Sequence, residues 1–150
     1  MNMEAPMIEE IHDGEIVLAL ILRREYKAEG IQFLTPDAYS QQLGYMNRPQ
    51  GYVIKPHVHN IASREVHYTN EVLFIKSGKV RVDFYGGDQT YRESRILNCG
   101  DIILLIGGGH GFEMLEACEM IEVKQGPYVG EHDKVRFEPV SPDQVKLTGR

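Results

Sequence analysis

The 150-residue sequence has no tryptophan, only two cysteines and no apolar run long enough to cross a bilayer. Its longest apolar stretch, 16–22 (IVLALIL), is far shorter than the ~20 residues that a transmembrane helix needs. Cys99 and Cys118 stand alone without CxxC spacing, which predicts small buried thiols in a reducing compartment. The acidic N-terminus lacks the basic region of a secretory signal. These absences predict a cytoplasmic protein with no membrane partner.

An excess of positive charge is also missing. The chain has 16 basic and 22 acidic residues and a formal net charge of −6, without a basic stripe that would offset phosphate repulsion. Nucleic acid is therefore excluded as a partner. Apolar residues at 42% and charged residues at 25% are ordinary for a globular chain. The length predicts one domain over 1–150, with a core at about 15–135 and a loosely held polar tail at about 139–150.

Helix signals are scarce, and one short helical turn is predicted within 36–45. The clearest hairpin joins two β-branched runs through Ser77-Gly78, where glycine supplies the positive φ of a tight turn. Short β-rich runs separated by Gly, Pro, Asn and Asp predict an all-β sandwich or barrel. The predicted strands are Glu15–Arg23, Gly30–Leu34, Tyr52–His59, Glu71–Lys76, Lys79–Tyr85, Ile102–Ile106, Phe112–Leu115 and Glu119–Lys124.

Two histidines share one side of the predicted strand Tyr52–His59. Side chains alternate across a strand, so His57 and His59 would point the same way, about 7 Å apart along the chain. Glu71 opens another strand and shares its face with Leu73 and Ile75. A carboxylate on such an apolar face needs a cation or hydrogen-bond donors.

His110 follows an apolar strand in the glycine-rich stretch IGGGHGF. Three imidazoles and one carboxylate form a mixed nitrogen and oxygen set that suits a divalent transition metal with open coordination positions. Taken singly, each of these residues is explained more simply as a surface side chain. Taken together, they favour a metal site, because the alternation of side chains along a strand places three of them on the inner face. The GGGHG stretch lacks the context of a phosphate-binding loop.

The pattern Gly51-x5-His57-x-His59 followed by Glu71-x6-Gly78 resembles the first motif of the cupin superfamily, and 100–112 (GDIILLIGGGHGF) is similar to the second. The resemblance implies a jelly-roll β-barrel in which His57, His59, Glu71 and His110 bind a metal. This sequence departs from the pattern in three ways. Eleven residues separate His59 from Glu71, Ile106 replaces a typical proline, and His110 comes one position early. The long spacing leaves Glu65 as an alternative carboxylate ligand.

A second, more specific resemblance lies near the end of the chain. The stretch MIEVKQGPY with HDK, within 120–134, is similar to the closing part of small cupin-fold metalloproteins encoded among bacterial polysaccharide and surface-sugar biosynthesis genes. This implies a context in carbohydrate metabolism and a sugar-derived small-molecule ligand, but no particular reaction.

Several other polar side chains are candidates for ligand binding or catalysis. Arg64 and His67 lie in the stretch between the two parts of the first motif, and each is suited to binding a carboxylate or phosphate. Alternatively, Arg64 pairs with a neighbouring glutamate. Lys124 is a further candidate for substrate binding, because it shares a face of the last predicted strand with Glu122, although a salt bridge at the rim is the simpler interpretation. The candidates for a catalytic base are Lys55, His67 and Glu122.

Three kinds of function fit this set of residues. The first is a metal-dependent isomerase or epimerase in which the ion acts as a Lewis acid on a sugar, sugar phosphate or nucleotide sugar, with an Fe(II)-dependent dioxygenase as the rival within the enzyme class. The second is a non-catalytic, sugar-nucleotide-binding regulatory protein. The third, a metal-free epimerase with a His–Asp pair and a tyrosine, is disfavoured by the second histidine of the H-x-H pair.

Ligand types do not select among zinc, iron, manganese and nickel, so the cofactor is predicted only as a divalent metal ion. The stretch 15–25 (EIVLALILRRE) is apolar on both faces, which suits a strand covered by a second sheet or subunit. Because cupin barrels commonly pair through N-terminal strands, the resemblance predicts a homodimer.

Overall fold

A computed structural model describes residues 6–149 and divides the chain into two compact units. The first unit contains the described residues up to Tyr26 and from Tyr68 onwards, and the second unit is Lys27–His67. The ten strands in chain order are β1 (Ile8–Asp13), β2 (Ile16–Leu22), β3 (Gly30–Phe33), β4 (Gly44–Asn47), β5 (Glu71–Ser77), β6 (Lys79–Tyr85), β7 (Tyr91–Asn98), β8 (Ile102–Leu105), β9 (Gly109–Met114) and β10 (Glu119–Lys124).

The first unit contains two antiparallel sheets. One has five strands in the order β1-β2-β8-β5-β10, and the other has three in the order β7-β6-β9. The second unit contains only the β3–β4 pair. Two short 3-10 turns, Glu131–Asp133 and Pro142–Gln144, are the only helical segments among the described residues. The prediction of an all-β chain is therefore confirmed, and the strands described form three separate sheets rather than one closed barrel.

The core of the first unit lies between the inner faces of its two sheets. On β5 the buried residues alternate, so Leu73 and Ile75 point inward while Phe74 is exposed. On β6 the side chains of Val80, Val82 and Phe84 are fully buried against them. This alternation is the pattern of a sheet with one covered face, and the burial of its apolar side chains is the main force that holds the unit together.

Strand β2 is buried on both faces, as its sequence predicts. Ala19 and Ile21 belong to the core cluster, and Leu20 and Leu22 on the opposite face are also buried within the single chain. The apolar character of this strand is therefore accounted for without a second subunit.

One predicted strand and one predicted helical turn are wrong. Residues 52–59 have no regular secondary structure, because no strand among the described residues pairs with them. Residues 36–43 form turns, and Gly44 begins β4 instead of ending a helix. Strands β1, β4 and β7 were not predicted. In β1 and β7 acidic and basic residues interrupt the alternation of apolar residues that indicates a strand. In the folded chain these charged side chains neutralise one another in ion pairs.

The polar tail is held in place, contrary to the prediction that it is loose. The backbone N–H of Val140 donates to the hydroxyl of Tyr85 at 2.9 Å, and that of Lys146 donates to the hydroxyl of Tyr91 at 2.8 Å. Leu147 forms a parallel bridge with Ser94 of β7. The contacts with Tyr91 and Ser94 cover part of the outer edge of β7. The sequence alone could not reveal any of these contacts, because they join positions more than fifty residues apart.

The prediction of buried thiols is also wrong for Cys99, which is exposed, whereas Cys118 is partly buried. The thiol of Cys99 donates to the backbone oxygen of Lys76 at 3.2 Å.

A buried ion network ties β1 to the start of the loop after β2. Arg23 is 2% exposed, and its guanidinium pairs with the carboxylates of Glu9 and, at 3.0 Å, Asp101. Arg23 also donates to the backbone oxygen of Ile96 at 2.8 Å. Glu9 accepts a further bond from Arg95 at 2.7 Å. Buried charges of this kind are tolerated only because each has an opposite charge and hydrogen-bond partners.

Candidate functional site

Glu71 lies on the inner face of the first unit, as the sequence predicts. It is the first residue of β5, it shares its face with Leu73 and Ile75, and it is 7% exposed. Its neighbours in the sheet are Leu105 of β8 and Lys124 of β10, which are its cross-strand partners. The register of β5 with β10 therefore places a lysine directly beside the buried carboxylate.

His110 reaches the same interior from the opposite sheet. It lies on β9 and pairs in register with Phe84, whose side chain is buried in the core. Gly108 makes this possible, because its φ is +64° and a Cβ there would come 2.3 Å from the backbone oxygen of Tyr85. The His110 ring packs edge-on against Phe112, two residues along the same face, with the ring centres 5.5 Å apart.

Glu71, His110 and Lys124 form one ion-paired group. Nε2 of His110 lies 3.1 Å from Oε2 of Glu71, and Nζ of Lys124 lies 3.3 Å from Oε1 of the same carboxylate. Each carboxylate oxygen therefore has its own nitrogen partner. The sequence predicts that this carboxylate requires a cation or donors, and the structure provides both. His110 and Lys124 are each 29% exposed, so solvent reaches one side of the group.

These contacts shift the acidity of two groups. The hydrogen bond from His110 lowers the pKa of Glu71 from 4.5 to about 2 against the opposing effect of burial, and Lys124 contributes in the same direction. Desolvation acts to lower the pKa of Lys124, but the hydrogen bond and charge of Glu71, together with the charge of Glu122, raise it. At neutral pH the site therefore contains an ionised carboxylate beside a charged ammonium.

His57 and His59 lie close together within the second unit. Their ring centres are 5.3 Å apart with the rings nearly perpendicular, and both side chains are exposed. Nδ1 of His57 is 3.0 Å from the backbone oxygen of Lys55. A carbonyl partner at Nδ1 favours the tautomer with its proton on that nitrogen, which leaves Nε2 as a potential metal ligand.

The other predicted site residues of the second unit are exposed. The side chain of Arg64 donates to the backbone oxygen of Ala62 at 3.4 Å, and that of His67 lies 3.5 Å from the carboxylate of Glu65. Lys55 is exposed as well.

In the first unit, Glu122 pairs in register with Leu73, so it lies on the same face of β10 as Lys124. The sequence predicts this shared face. The side chain of Glu122 is exposed, and it is Glu71 that pairs with Lys124.

Over residues 6–149 no three His, Cys, Asp or Glu side chains form a group that could hold a metal ion. The pair of Glu71 and His110 supplies two potential ligand atoms. Their separation of 3.1 Å is that of the hydrogen bond between them. In chemical type, an imidazole nitrogen and a carboxylate oxygen, these two residues fit the ligands of a divalent metal.

Sequence reasoning placed Glu71 and His110 together in one predicted metal site but did not associate Lys124 with them. It assigned Lys124 to substrate binding and did not pair it with Glu71. The missing information is the register of β10 against β5, which brings together residues 53 positions apart in the chain. Phe112, which packs against His110, was not singled out. The available signal was that Phe112 follows His110 by two residues, which places both side chains on the same face of a strand.

The chain matches no protein-family model, and no curated protein or solved structure is significantly similar to it. None of the helical segments in the described part of the chain has the length and apolar character needed to span a membrane.

Proposed function

We propose that this protein is a metal-binding cupin-type domain that binds a sugar, sugar phosphate or nucleotide sugar and catalyses an isomerisation or epimerisation of it. The observation that carries the proposal is the buried carboxylate of Glu71, held 3.1 Å from an imidazole nitrogen of His110 on the facing sheet. The H-x-H pair of His57 and His59 and its resemblance to the cupin motif support the same interpretation.

In this proposal Glu71 and His110 provide two metal ligands, and His57 and His59 provide the other two. The pKa of Glu71, which His110 and Lys124 lower to about 2, keeps this carboxylate ionised at neutral pH, in the form that can bind a metal. Glu65, which remains the alternative carboxylate, is 86% exposed and pairs with His67. The buried position of Glu71 favours it, because a ligand held on a strand is oriented by its surroundings. A bound divalent ion would supply Lewis-acid polarisation of a ligand hydroxyl or carbonyl oxygen.

Lys124 has a defined part in this site. Its ammonium pairs with the carboxylate of Glu71. If a metal were held by Glu71, Lys124 would be available to bind a carboxylate or phosphate of the ligand. Arg64 and His67 are the further candidates for binding that anionic group. The candidates for a base that moves a proton next to the carbonyl are Lys55, His67 and Glu122.

A metal-free function is the second candidate, and a specific observation favours it. Glu71 already has two partners, and a histidine hydrogen-bonded to a buried carboxylate is an arrangement that can serve as a general base. In that case His110 would accept a proton from the ligand, and Glu71 would orient the imidazole and stabilise its charged form. A non-catalytic, sugar-nucleotide-binding regulatory protein and an Fe(II)-dependent dioxygenase remain alternatives for the same residues.

Elemental analysis of the protein purified without added metal tests this proposal. We expect about one zinc, iron, manganese or nickel ion per chain, lost in Glu71→Ala and in the double variant His57→Ala/His59→Ala. His12→Ala is the matched control, because His12 is partly exposed on β1 and pairs with Glu10. Metal-free protein with unchanged turnover of a nucleotide sugar would support the histidine–carboxylate base instead.

Two further measurements separate the remaining alternatives. Oxygen consumption by the iron-loaded protein would support the dioxygenase, whereas activity with zinc or manganese in the absence of oxygen would exclude it. Binding of nucleotide sugars without turnover of any of them would favour the regulatory function.

A further inference from the structure

The C-terminal segment 137–149, here called the strap, lies against the outer side of the three-stranded sheet of the same unit. Its first anchor is Tyr85, the last residue of β6. The ring of Phe137 packs edge-on against the ring of Tyr85 with the ring centres 4.9 Å apart, and the backbone N–H of Val140 donates to the Tyr85 hydroxyl. Tyr85 follows Phe84 of the core cluster and therefore points to the outer side, yet it is only 4% exposed.

The ring of Phe137 also lies on β9, directly next to His110 in the chain. In the register of β6 with β9, Phe84 pairs with His110 and Tyr85 pairs with Gly109, so His110 is on the inner side and Gly109 on the outer side. A Cβ added at Gly109 would lie 3.0 Å from Cζ of Phe137 and 3.3 Å from Cβ of Tyr85. The missing side chain at Gly109 therefore leaves room for the Phe137 ring. This gives a role to a glycine of the GGGHG stretch that the candidate site does not use.

Strand β9 depends on this packing more than an inner strand would. Within residues 6–149 it pairs only with β6, so it forms one edge of its sheet. The other outward position beside His110 is Gly111, which likewise has no side chain that could anchor the strand. On the inner side His110 contacts Glu71 and Phe112, and on the outer side the strand is covered at Gly109 by Phe137. A strand with few contacts of its own is positioned by what packs on its two sides.

We propose that Phe137 is a positioning residue for His110, because the strap packs against β9 from outside and thereby holds the imidazole against Glu71. A change that loosens the strap at Phe137 then weakens the contact between His110 and Glu71. The coupling is reciprocal, so a ligand that fixes His110 in the site tightens the strap. That His110 acts on such a ligand rests on the proposed function. The link from Phe137 to His110 does not.

A second anchor of the strap offers a matched control, because it lies on β7 rather than on β9. The backbone N–H of Lys146 donates to the hydroxyl of Tyr91 at 2.8 Å, and Leu147 forms a bridge with Ser94. Tyr91→Phe removes the hydroxyl that accepts this bond and keeps the ring. It loosens the strap at β7 and leaves the Phe137 ring in place behind His110.

Nuclear magnetic resonance of the full chain labelled with ¹⁵N-histidine tests the link without reference to metal. The ring nitrogen shifts report the tautomer, and His110→Gln identifies the His110 signals. Because a carboxylate only accepts hydrogen bonds, we expect the wild-type ring to carry its proton on Nε2, which faces Glu71. In Phe137→Ala the ring should change to an average of the two tautomers.

Phe137→Leu, which keeps an apolar side chain on Gly109, and the control Tyr91→Phe should retain the fixed tautomer. Gly109→Ala, whose methyl group would displace the Phe137 ring, should reproduce the effect of Phe137→Ala and provides the same test if that variant does not fold. A fixed His110 tautomer in both Phe137→Ala and Gly109→Ala, or its equal loss in Tyr91→Phe, would overturn the proposal.

Hydrogen exchange of the strap tests the reverse direction with Zn²⁺ alone as the probe. Zinc bound at Glu71 and His110 should slow exchange at the backbone N–H of Val140 by about fivefold or more, and leave exchange at Lys146 unchanged. Zinc that binds there without slowing exchange at Val140 would refute the coupling and retain the metal site. A His110 ring that responds to Phe137→Ala in a protein that binds no zinc would refute the metal site and retain the positioning role.

Discussion

Nε2 of His110 and Oε2 of Glu71 lie 3.1 Å apart and connect the two facing sheets of the first unit. Because β9 and β5 belong to different sheets, this contact depends on the packing of the whole unit rather than on one hairpin. The carboxylate of Glu71 is buried, whereas its partners His110 and Lys124 are partly exposed. Solvent therefore reaches the ion-paired group on the side of these two residues. A buried carboxylate with partly solvent-exposed partners is what the proposed ligand-binding role requires.

The acidity of Glu71 predicts a defined loss of stability in acid. Its pKa is about 2 in the folded chain and 4.5 in the unfolded one, so the stabilisation is complete above pH 4.5 and is lost as the pH falls towards 2. Because solvent reaches His110 and Lys124 and screens their charges, we expect this pKa shift to contribute about 2 kcal/mol to the free energy of unfolding. We expect Glu71→Gln to lower the free energy of unfolding by that amount at pH 6, and the difference from wild type to vanish near pH 2.

Urea unfolding at a series of pH values measures this difference. Glu116→Gln is the matched control, because Glu116 forms an exposed pair with Lys79 and should differ from wild type by less than about 0.5 kcal/mol at every pH. A deficit in Glu71→Gln that does not change between pH 6 and pH 2 would show that the charge of Glu71 is not its source.

The proposed metal site predicts that Lys124 competes with the metal. Its ammonium lies 3.3 Å from Oε1 of Glu71, where it occupies the carboxylate and repels a second cation. We expect Lys124→Met to bind Co²⁺ about tenfold more tightly than the wild-type protein does. The same change should weaken the binding of an anionic sugar ligand, because it removes the proposed partner of its carboxylate or phosphate.

Isothermal titration with CoCl₂ alone gives the affinity. Lys76→Met is the control, since Lys76 is more than half exposed and its partner is Glu119, outside the candidate site. Equal cobalt affinities for Lys124→Met and wild type would mean that the metal does not bind at Glu71.

The sequence predicted the strands whose side chains alternate cleanly. The paired runs around Ser77-Gly78 became β5 and β6, and the inward face of Glu71 followed from parity alone. The prediction from sequence failed where a buried charge is neutralised by residues that are distant in the sequence. Glu9 is a buried acid in β1 because Arg23 and Arg95 neutralise it. Neither partner is adjacent in the sequence, so the strand resembled a polar segment.

The error at residues 52–59 has a different cause. Strand propensity describes a local backbone preference, but a strand exists only when a partner supplies its hydrogen bonds. The apolar and β-branched residues of this segment were recognised correctly, and the pairing partner could not be derived from them. The association of Lys124 with Glu71 was missed for a related reason, because strand register is a property of two segments together.

The buried network around Arg23 predicts a large and specific loss of stability. Arg23→Met would leave the carboxylates of Glu9 and Asp101 without their shared cation, at positions that are 4% and 2% exposed. Removing one partner of a buried ion pair typically costs 3–5 kcal/mol, so we expect a decrease of about 4 kcal/mol in the free energy of unfolding. Arg24→Met, which removes only an exposed pair with Glu25, should cost less than about 0.5 kcal/mol. Guanidinium unfolding of the two variants makes the comparison, and similar costs would contradict a buried network.

Two glycines with similar positive φ values should differ in how much stability is lost when each is replaced by alanine. One of them, Gly78, lies in the turn between β5 and β6. Gly78 has a φ of +80°, and a Cβ there would lie 1.9 Å from the backbone oxygen of Ala117. Gly14 has a φ of +60° with nothing within 4 Å of its Cβ position. Gly14→Ala should therefore cost only the strain of the left-handed conformation, about 1 kcal/mol.

Gly78→Ala adds a backbone clash to the same strain and should cost about 3 kcal/mol or more, because Ala117 and the start of β10 must move. Thermal unfolding of both variants measures the difference. A Gly78→Ala protein as stable as Gly14→Ala would mean that the segment before β10 is not packed against the turn.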